Sequence, residues 1–192
     1  MYNIYRKKQS SKENKMNKEV KHYYENGNIM SIETCENSEK AKRQVKSYSE
    51  NGNVIRIENY EAGFRHGNLA RFYENGDAMY IENYEKGKLN GKQVWFFRNR
   101  QIESISNYEK GKLHGKQEVF YENGQIKSIE NYEAGDNQGK REAFYESGRI
   151  YCIQRYKDDL LHGKQEEFYE NGQIKSVEHY EAGELVENNN NE

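Results

Sequence analysis

Three histidines are the residues of this chain whose type and spacing first suggest chemistry. His66, His114 and His162 recur at equal intervals, and each of them precedes a glycine. Imidazole nitrogens are common zinc ligands, and a zinc ion requires all of its ligands at a distance of ~2 Å. Whether these three side chains can meet at one ion depends on the elements that carry them.

A repeat carries these histidines. A turn position recurs along the chain with one spacing of 25 residues and five spacings of 24, and six of its seven members are glycine. Such a period is typical of arrays of identical supersecondary units, none of which buries its apolar face alone. About seven units account for residues 23–183, and their turn positions are Gly27, Gly52, Gly76, Arg100, Gly124, Gly148 and Gly172.

Each unit predicts a β-hairpin. In the unit of residues 115–135, Asn123 and Gly124 lie between two runs rich in aromatic and β-branched residues. This pattern favours a two-residue type I′ turn, in which both central residues have positive φ. With that turn, Tyr121 faces Ile126 across the hairpin.

The same register predicts the pairs at the open end of each hairpin. Gln117 faces Glu130, and Gly115 faces Tyr132, whose ring we expect to lie over the bare glycine backbone. Because strand side chains alternate between faces, each face of the sheet also receives an aromatic stripe. The Gly–Tyr pair recurs as Gly67 with Tyr84, Gly91 with Tyr108, Gly139 with Tyr156, and Gly163 with Tyr180.

The predicted fold class is therefore all-β: an elongated, single-layer antiparallel array of about seven β-hairpins. Two strands per unit advance such an array by ~10 Å. Neighbouring members of the histidine series then lie ~19 Å apart, which is too far for one zinc ion. We expect these histidines to occupy polar loop positions, and we expect no metal and no cofactor.

The two cysteines, Cys35 and Cys152, are five repeats apart. At ~10 Å per repeat they are separated by ~50 Å, whereas a disulfide tolerates a Cα separation of only ~7 Å. We expect two free thiols that pack within the sheet, as is usual in a reducing compartment.

The many glutamates predict solvated rows, because every unit contributes the same carboxylates. A general acid and base pair would need two carboxyl groups in different environments within one pocket. The sequence has no nucleophile with its base, and we expect its glycines to be used in turns and in packing against tyrosine rings. We therefore expect that the protein is not an enzyme.

Composition limits the partners and the compartment. Thirty basic residues against 32 acidic ones provide no basic excess for nucleic acid. The chain has neither a run of roughly 18 apolar residues nor the apolar segment of a secretion signal. We expect a cytoplasmic protein, or a secreted or surface-associated one if a leader was removed. Residues 1–22 are interpreted as a basic arm and residues 184–192 as a disordered, acidic, Asn-rich tail.

The elements Phe-Tyr-Glu-Asn-Gly, Asn-Tyr-Glu-Ala-Gly and Lys-Leu-His-Gly-Lys recur in this order. They resemble the bacterial variant of the membrane occupation and recognition nexus (MORN) repeat. The resemblance implies a single layer of hairpins, and proteins of this type are often described as antitoxin-like components of toxin–antitoxin systems. The first unit departs from the pattern with Cys35 and Ser38 where tyrosine and glycine are expected, as terminal, capping repeats often do.

The fourth unit departs most from the repeat. It replaces the acidic turn by a basic one and carries the only tryptophan of the chain. Aromatic side chains rimmed by arginine are typical of interface hot spots, although a tryptophan in mid-array also fits a role in packing. The hypothesis is that five residues anchor an acidic or extended protein partner: Tyr80, Trp95, Phe97, Arg98 and Arg100.

The predicted function is that of a non-catalytic protein-interaction module, with antitoxin-like neutralisation of a partner protein as its finer form. One alternative is a structural or surface-associated protein that self-assembles through the edges of its sheet. Another is a scaffold at a membrane surface that uses the basic arm of residues 1–22.

Overall fold

The computed structural model describes residues 17–36 and 42–190, all of whose regular elements are β-strands. Nothing helical in these ranges has the length and apolarity of a membrane span. Residues 1–16 of the predicted arm lie outside the described residues. The chain divides into two compact units, Met1–Lys88 and Leu89–Glu192.

The first unit is a meander of antiparallel strands in which each strand pairs with the next long strand along the chain. Its long strands alternate with short connections, and one two-residue strand follows β4. The strands are β1 (Asn17–Tyr23), β2 (Ile29–Glu36), β3 (Arg43–Tyr48), β4 (Val54–Glu61), β5 (Phe64–Arg65), β6 (Gly67–Phe72) and β7 (Ala78–Glu85).

After β8 (Lys88–Leu89), the second unit continues with the same antiparallel pattern. Four hairpins of one six-residue and one eight-residue strand are joined by two-residue strands. The strands are β9 (Gly91–Phe96), β10 (Ile102–Glu109), β11 (Lys112–Leu113), β12 (Gly115–Phe120), β13 (Ile126–Glu133), β14 (Asp136–Asn137), β15 (Gly139–Phe144), β16 (Ile150–Lys157), β17 (Leu160–Leu161), β18 (Gly163–Phe168), β19 (Ile174–Glu181) and β20 (Glu184–Asn190).

The all-β hairpin fold is confirmed, but the predicted type I′ turn at Asn-Gly is wrong. Gly124 has a φ of 86°, whereas Asn123 is not in the left-handed region. Gly124 N donates to Tyr121 O at 2.9 Å, and Tyr121 N donates to Gln125 O at 2.8 Å. This is the three-residue hairpin loop, a β-turn followed by a left-handed glycine and a bulge. Phe120, and not Tyr121, consequently faces Ile126.

The type I′ turns occur in the connections between hairpins. Ala134 and Gly135 both have positive φ, at 53° and 104°, and Glu133 pairs with Asp136 across them. Two positive φ values are what a type I′ turn requires. The Ala-Gly and Lys-Gly pairs of the sequence thus make the tight two-residue turns.

The predicted Gly–Tyr register is confirmed, but its predicted reason is wrong. Gly115 pairs with Tyr132, and the equivalent pairs recur in the other complete hairpins. A Cβ added to Gly115 would meet no atom within 4 Å, so no ring lies over it, while its φ is +80°. The glycine serves the backbone conformation, which other residues adopt only at a cost.

Side chains of the turns link each hairpin to the next one. The Asn123 amide donates to Glu146 O at 3.2 Å, and the Tyr121 hydroxyl donates to Phe144 O at 2.7 Å. The Asn123 carbonyl also accepts from Gln125 N at 2.9 Å. Asparagine is thus needed here for its side-chain hydrogen bonds rather than for a positive φ.

The two faces of the sheet differ in burial. We call one of them the inner face. In the first unit it is the face that carries Glu58, and in the second unit it is the face that carries Gln93. Strand alternation and register assign the other side chains to it. The side chains that are almost fully buried in the described ranges all belong to the inner face, and most are polar: Glu58, Leu69, Gln93, Ser106, Ser128, Ala143, Cys152 and Gln165.

Two segments assigned to the ends of the chain are strands in the structure. Residues 17–22, predicted to belong to the arm, form most of β1 and pair with β2. Glu184–Asn190, predicted to be disordered, forms β20 and pairs with β19. Backbone pairing with a preformed neighbouring strand explains both, because it does not depend on a strong strand propensity of the added segment.

Candidate interaction surface

Trp95 lies near the end of β9 on the inner face of the second unit. Its Cα partner is Ser104 of β10, which in turn pairs with Val119 of β12. Trp95 keeps 39% of its surface exposed, while the equivalent slots hold the smaller Val119 and the buried Ala143. The indole therefore presents a large aromatic surface to solvent where the neighbouring hairpins have small side chains.

The turn that follows Trp95 has an arginine in the glycine slot. Arg100 adopts a φ of 72°, a region that costs a residue other than glycine about 1–2 kcal/mol. Arg100 N donates to Phe97 O at 3.0 Å, and Phe97 N donates to Gln101 O at 2.9 Å. Because Gly124 makes the same hydrogen bonds in its own turn, the geometry of the turn does not require arginine.

Two further residues of this turn differ from the repeat. Arg98 is exposed and replaces the glutamate that the other six turns carry at this position. Phe97 is half-buried and replaces a residue that is tyrosine in most units, so it lacks the hydroxyl with which Tyr121 bonds the next hairpin. The structure therefore brings four of the five predicted site residues together on the β9–β10 hairpin.

The fifth predicted residue, Tyr80, lies on β7 in the first unit. It is half-buried, and its Cα partner across the hairpin is Arg71 of β6. Within its own unit, Tyr80 is thus a neighbour of arginine on the inner face.

The inner face of the second unit also carries a charged cluster that the sequence interpretation missed. Arg141 Nε donates to Glu130 Oε1 at 2.9 Å, and Arg141 Nη1 donates to Gln154 Oε1 at 2.6 Å. The Tyr132 hydroxyl donates to Glu130 Oε2 at 2.7 Å. The signal in the sequence was the arginine at a position that is glutamine in three other units, namely Gln93, Gln117 and Gln165.

The cluster shifts the protonation equilibria of its members. Burial acts to raise the pKa of Glu130, but hydrogen bonds from Arg141 and Tyr132 outweigh it and leave that pKa below its ordinary value. Burial and the adjacent Glu130 carboxylate together raise the pKa of the Tyr132 phenol. Glu130 is therefore a carboxylate and Tyr132 a neutral donor at neutral pH, which suits a structural network.

A shallow depression of about 200 Å³ adjoins this cluster, between strands β15, β16, β18 and β19. Arg141, Cys152, Glu167 and Glu178 are among the residues that line it. Burial raises the pKa of the Cys152 thiol, so this sulfur is a thiol rather than the reactive thiolate. The depression thus offers polar contacts but no activated nucleophile.

Cys35 and two of the three histidines have local partners. Both cysteines are free thiols, and Cys35 Sγ donates to Glu33 Oε1 at 3.5 Å. His66 and His114 lie 3.4 and 3.8 Å from the carboxylates of Glu61 and Glu109. In the ranges that the structure describes, no group of three or more His, Cys, Asp or Glu side chains could hold a metal ion.

The fold and its site define a class of protein: an antiparallel β-hairpin repeat protein that presents a polar inner face. A family model described as MORN repeat variant matches residues 16–37, 44–62, 113–134 and 161–182. Four segments of the chain, which together make up less than half of it, are thus similar to this repeat. A search of curated proteins finds no match. The fourth repeat, with Trp95, lies outside the matched segments although its hairpin has the same strand lengths.

Proposed function

We propose that the protein is a non-catalytic interaction module that binds another protein through the β9–β10 hairpin. The observation that carries this proposal is Arg100, which holds a left-handed conformation that glycine holds in the other turns of this type. Strain of this kind persists where a side chain is needed for another purpose. At this position the chain retains a cation in the turn that follows an exposed tryptophan.

The chemistry of the hairpin indicates the partner. Trp95 supplies a broad aromatic surface, and Arg98 and Arg100 supply exposed guanidinium groups in a turn that is acidic elsewhere. Tryptophan and arginine are the residue types that most often dominate binding energy at protein interfaces. The partner we propose is accordingly an acidic protein or an extended acidic segment of one.

The finer form of the proposal is antitoxin-like neutralisation, in which binding masks the active surface of a toxic partner. Its support is the resemblance of these repeats to the bacterial variant of the MORN repeat. It requires only tight binding and no catalysis, which suits a sheet without an activated nucleophile in its depression.

The test compares the double variant Trp95→Ala/Arg98→Ala with a matched control, Val119→Ala/Glu122→Ala, which changes the same slots of the following repeat. Each full chain is used as bait in the native host, captured proteins are identified by mass spectrometry, and the partner is purified for titration calorimetry. We expect the first variant to lose the partner and the control to keep it, with unchanged β circular dichroism in both. Equal binding by both variants would overturn the proposal.

Self-association through a sheet edge is a second candidate function. Among the described strands, β20 pairs with β19 alone, and Leu185 and Val186 on β20 are largely exposed. An edge of this kind can pair with another chain. Light scattering over a range of concentrations tests this candidate. Edge pairing predicts oligomers that grow with concentration and that a Val186→Lys variant does not form. A constant monomer mass would exclude self-association.

A further inference from the structure

Two arginines lie directly opposite each other on the inner face of the first unit. Arg56 on β4 is the Cα partner of Arg71 on β6, and Arg71 is in turn the partner of Tyr80 on β7. Like charges in directly opposed positions destabilise a sheet. The repeat does not require a pair of like charges here, because the equivalent pairs of the second unit are Ser104 with Val119, Ser128 with Ala143, and Cys152 with Glu167.

The carboxylates of this face do not compensate Arg71. Glu58, with only 3% of its side chain exposed, bonds Arg56 through Oε2 and lies 3.1 Å from Arg65 through Oε1. Glu82, two residues beyond Tyr80 on β7, accepts the Tyr84 hydroxyl at 2.9 Å. Arg71 is exposed and forms no ion pair with any residue that the structure describes.

We propose that Arg71, with Arg56 on one side and Tyr80 on the other, binds the carboxylates of an acidic peptide segment. Neighbouring strands are ~5 Å apart, so one carboxylate can reach both guanidinium groups. Arginine suits this task because its planar fork donates two parallel hydrogen bonds to a carboxylate. The bound anion would relieve the repulsion between Arg56 and Arg71.

An acidic peptide fits this surface better than a polyanion such as nucleic acid. Binding to a phosphate backbone draws its strength from many cations at once, whereas Arg71 and Arg56 are two cations, of which Glu58 already pairs one, in a chain with a net charge of −2. The aromatic ring of Tyr80 beside Arg71 also offers an apolar surface to the methylene groups of a glutamate. The inference lies wholly within the first unit and does not depend on the β9–β10 hairpin.

The test measures binding of fluorescein-labelled hexaglutamate to the full chain by fluorescence anisotropy at low salt, with labelled hexaglutamine as the neutral probe. We expect hexaglutamate to bind, with an affinity that falls as salt rises, and hexaglutamine not to bind. Arg71→Ala should weaken hexaglutamate binding by about tenfold or more. Arg71→Lys should restore it only in part, because the ammonium group lacks the planar fork.

Lys116→Ala is the control, since it removes an exposed cation that belongs to neither proposed surface and should leave hexaglutamate binding unchanged. Arg98→Ala tests whether the β9–β10 hairpin captures the probe instead of Arg71. If Arg98→Ala abolishes hexaglutamate binding and Arg71→Ala does not, the inference is overturned while the β9–β10 proposal stands. Equal binding of hexaglutamine, or binding of inorganic phosphate through Arg71 without binding of hexaglutamate, would also overturn it. Circular dichroism of each variant shows that the fold is retained.

Discussion

The Arg141 guanidinium joins two neighbouring hairpins of the second unit through Glu130: its Nε lies 2.9 Å from the Glu130 carboxylate across the β13–β15 pairing. Both side chains are mostly buried, with 28% and 17% of their surfaces exposed. An ion pair in such a place stabilises the sheet only when its hydrogen bonds are complete, and Tyr132 and Gln154 complete them here. The interface between these repeats is therefore held by polar contacts rather than by an apolar core.

This pair predicts a pH dependence of stability. The pKa of Glu130 is lowered in the folded protein from an ordinary value of about 4.5. A carboxylate whose folded pKa is lowered stabilises the protein above the unfolded pKa, and that contribution is lost as the pH falls through the folded pKa. The Arg141→Gln variant should accordingly lose about 1–3 kcal/mol of unfolding free energy at pH 7, and its deficit should shrink below pH 4.5.

Urea unfolding followed by circular dichroism between pH 7 and pH 3 measures this difference. The matched control is Lys116→Gln, which removes a more exposed ion pair with Glu118 and should change stability little at any pH. A deficit of Arg141→Gln that stays constant down to pH 3 would show that Glu130 does not carry the effect.

The second prediction concerns the strain at Arg100. Glycine adopts its φ of 72° without the cost that a side chain adds, so Arg100→Gly should stabilise the protein by about 1 kcal/mol. Thermal unfolding measures the gain. If the fourth turn serves a partner, the same variant should bind that partner more weakly although it is more stable.

The reverse substitution provides the control. Gly172 occupies the same slot two repeats beyond Gly124, has a φ of +89°, and has free space around its Cβ position. Gly172→Ala should therefore destabilise the chain by a similar amount through the backbone alone. A neutral Gly172→Ala would contradict the strain argument for both turns.

Much of the register could be predicted from the sequence, while the turn type and the buried face could not. The pairs of Gly115 with Tyr132 and Gln117 with Glu130 follow from the hydrophobic pattern and the repeat, because a one-residue slip would invert every side chain. Asn-Gly is compatible with both the two-residue type I′ turn and the three-residue loop with a bulge. The three-residue loop forms with the same backbone hydrogen bonds at Ser147-Gly148 as at Asn123-Gly124, so the dipeptide alone does not determine the turn.

The buried face was ambiguous for a related reason. Both faces carry aromatic side chains in the sequence, so neither pattern marks the core. Burial on the inner face depends on how large neighbours shield small or polar residues such as Ser128 and Cys152, which is a property of the assembled sheet. The β9–β10 surface, in contrast, was visible as a departure from the repeat, and its residues remain a prediction.

A third prediction separates two explanations for the glycine at the start of each hairpin. One explanation is that Gly115 is needed for its φ of +80° and not for close packing. In that case asparagine should be tolerated better than alanine, although its side chain is larger. Asparagine enters the left-handed region more readily. We expect Gly115→Ala to cost about 1 kcal/mol and Gly115→Asn to cost less. The opposite order in chemical unfolding would restore the packing explanation.

The last prediction concerns the hydroxyl ladder between repeats. The Tyr121 hydroxyl donates to Phe144 O at 2.7 Å and is partly buried, so Tyr121→Phe should lower the unfolding free energy by about 0.5–1.5 kcal/mol. Tyr169→Phe, at the same slot but with 48% of the tyrosine exposed, is the matched control and should change little. Conversely, Phe97→Tyr supplies the hydroxyl that the fourth hairpin lacks and should stabilise the protein. If Tyr121→Phe and Tyr169→Phe unfold alike in a urea titration, the hydroxyl ladder contributes nothing to stability.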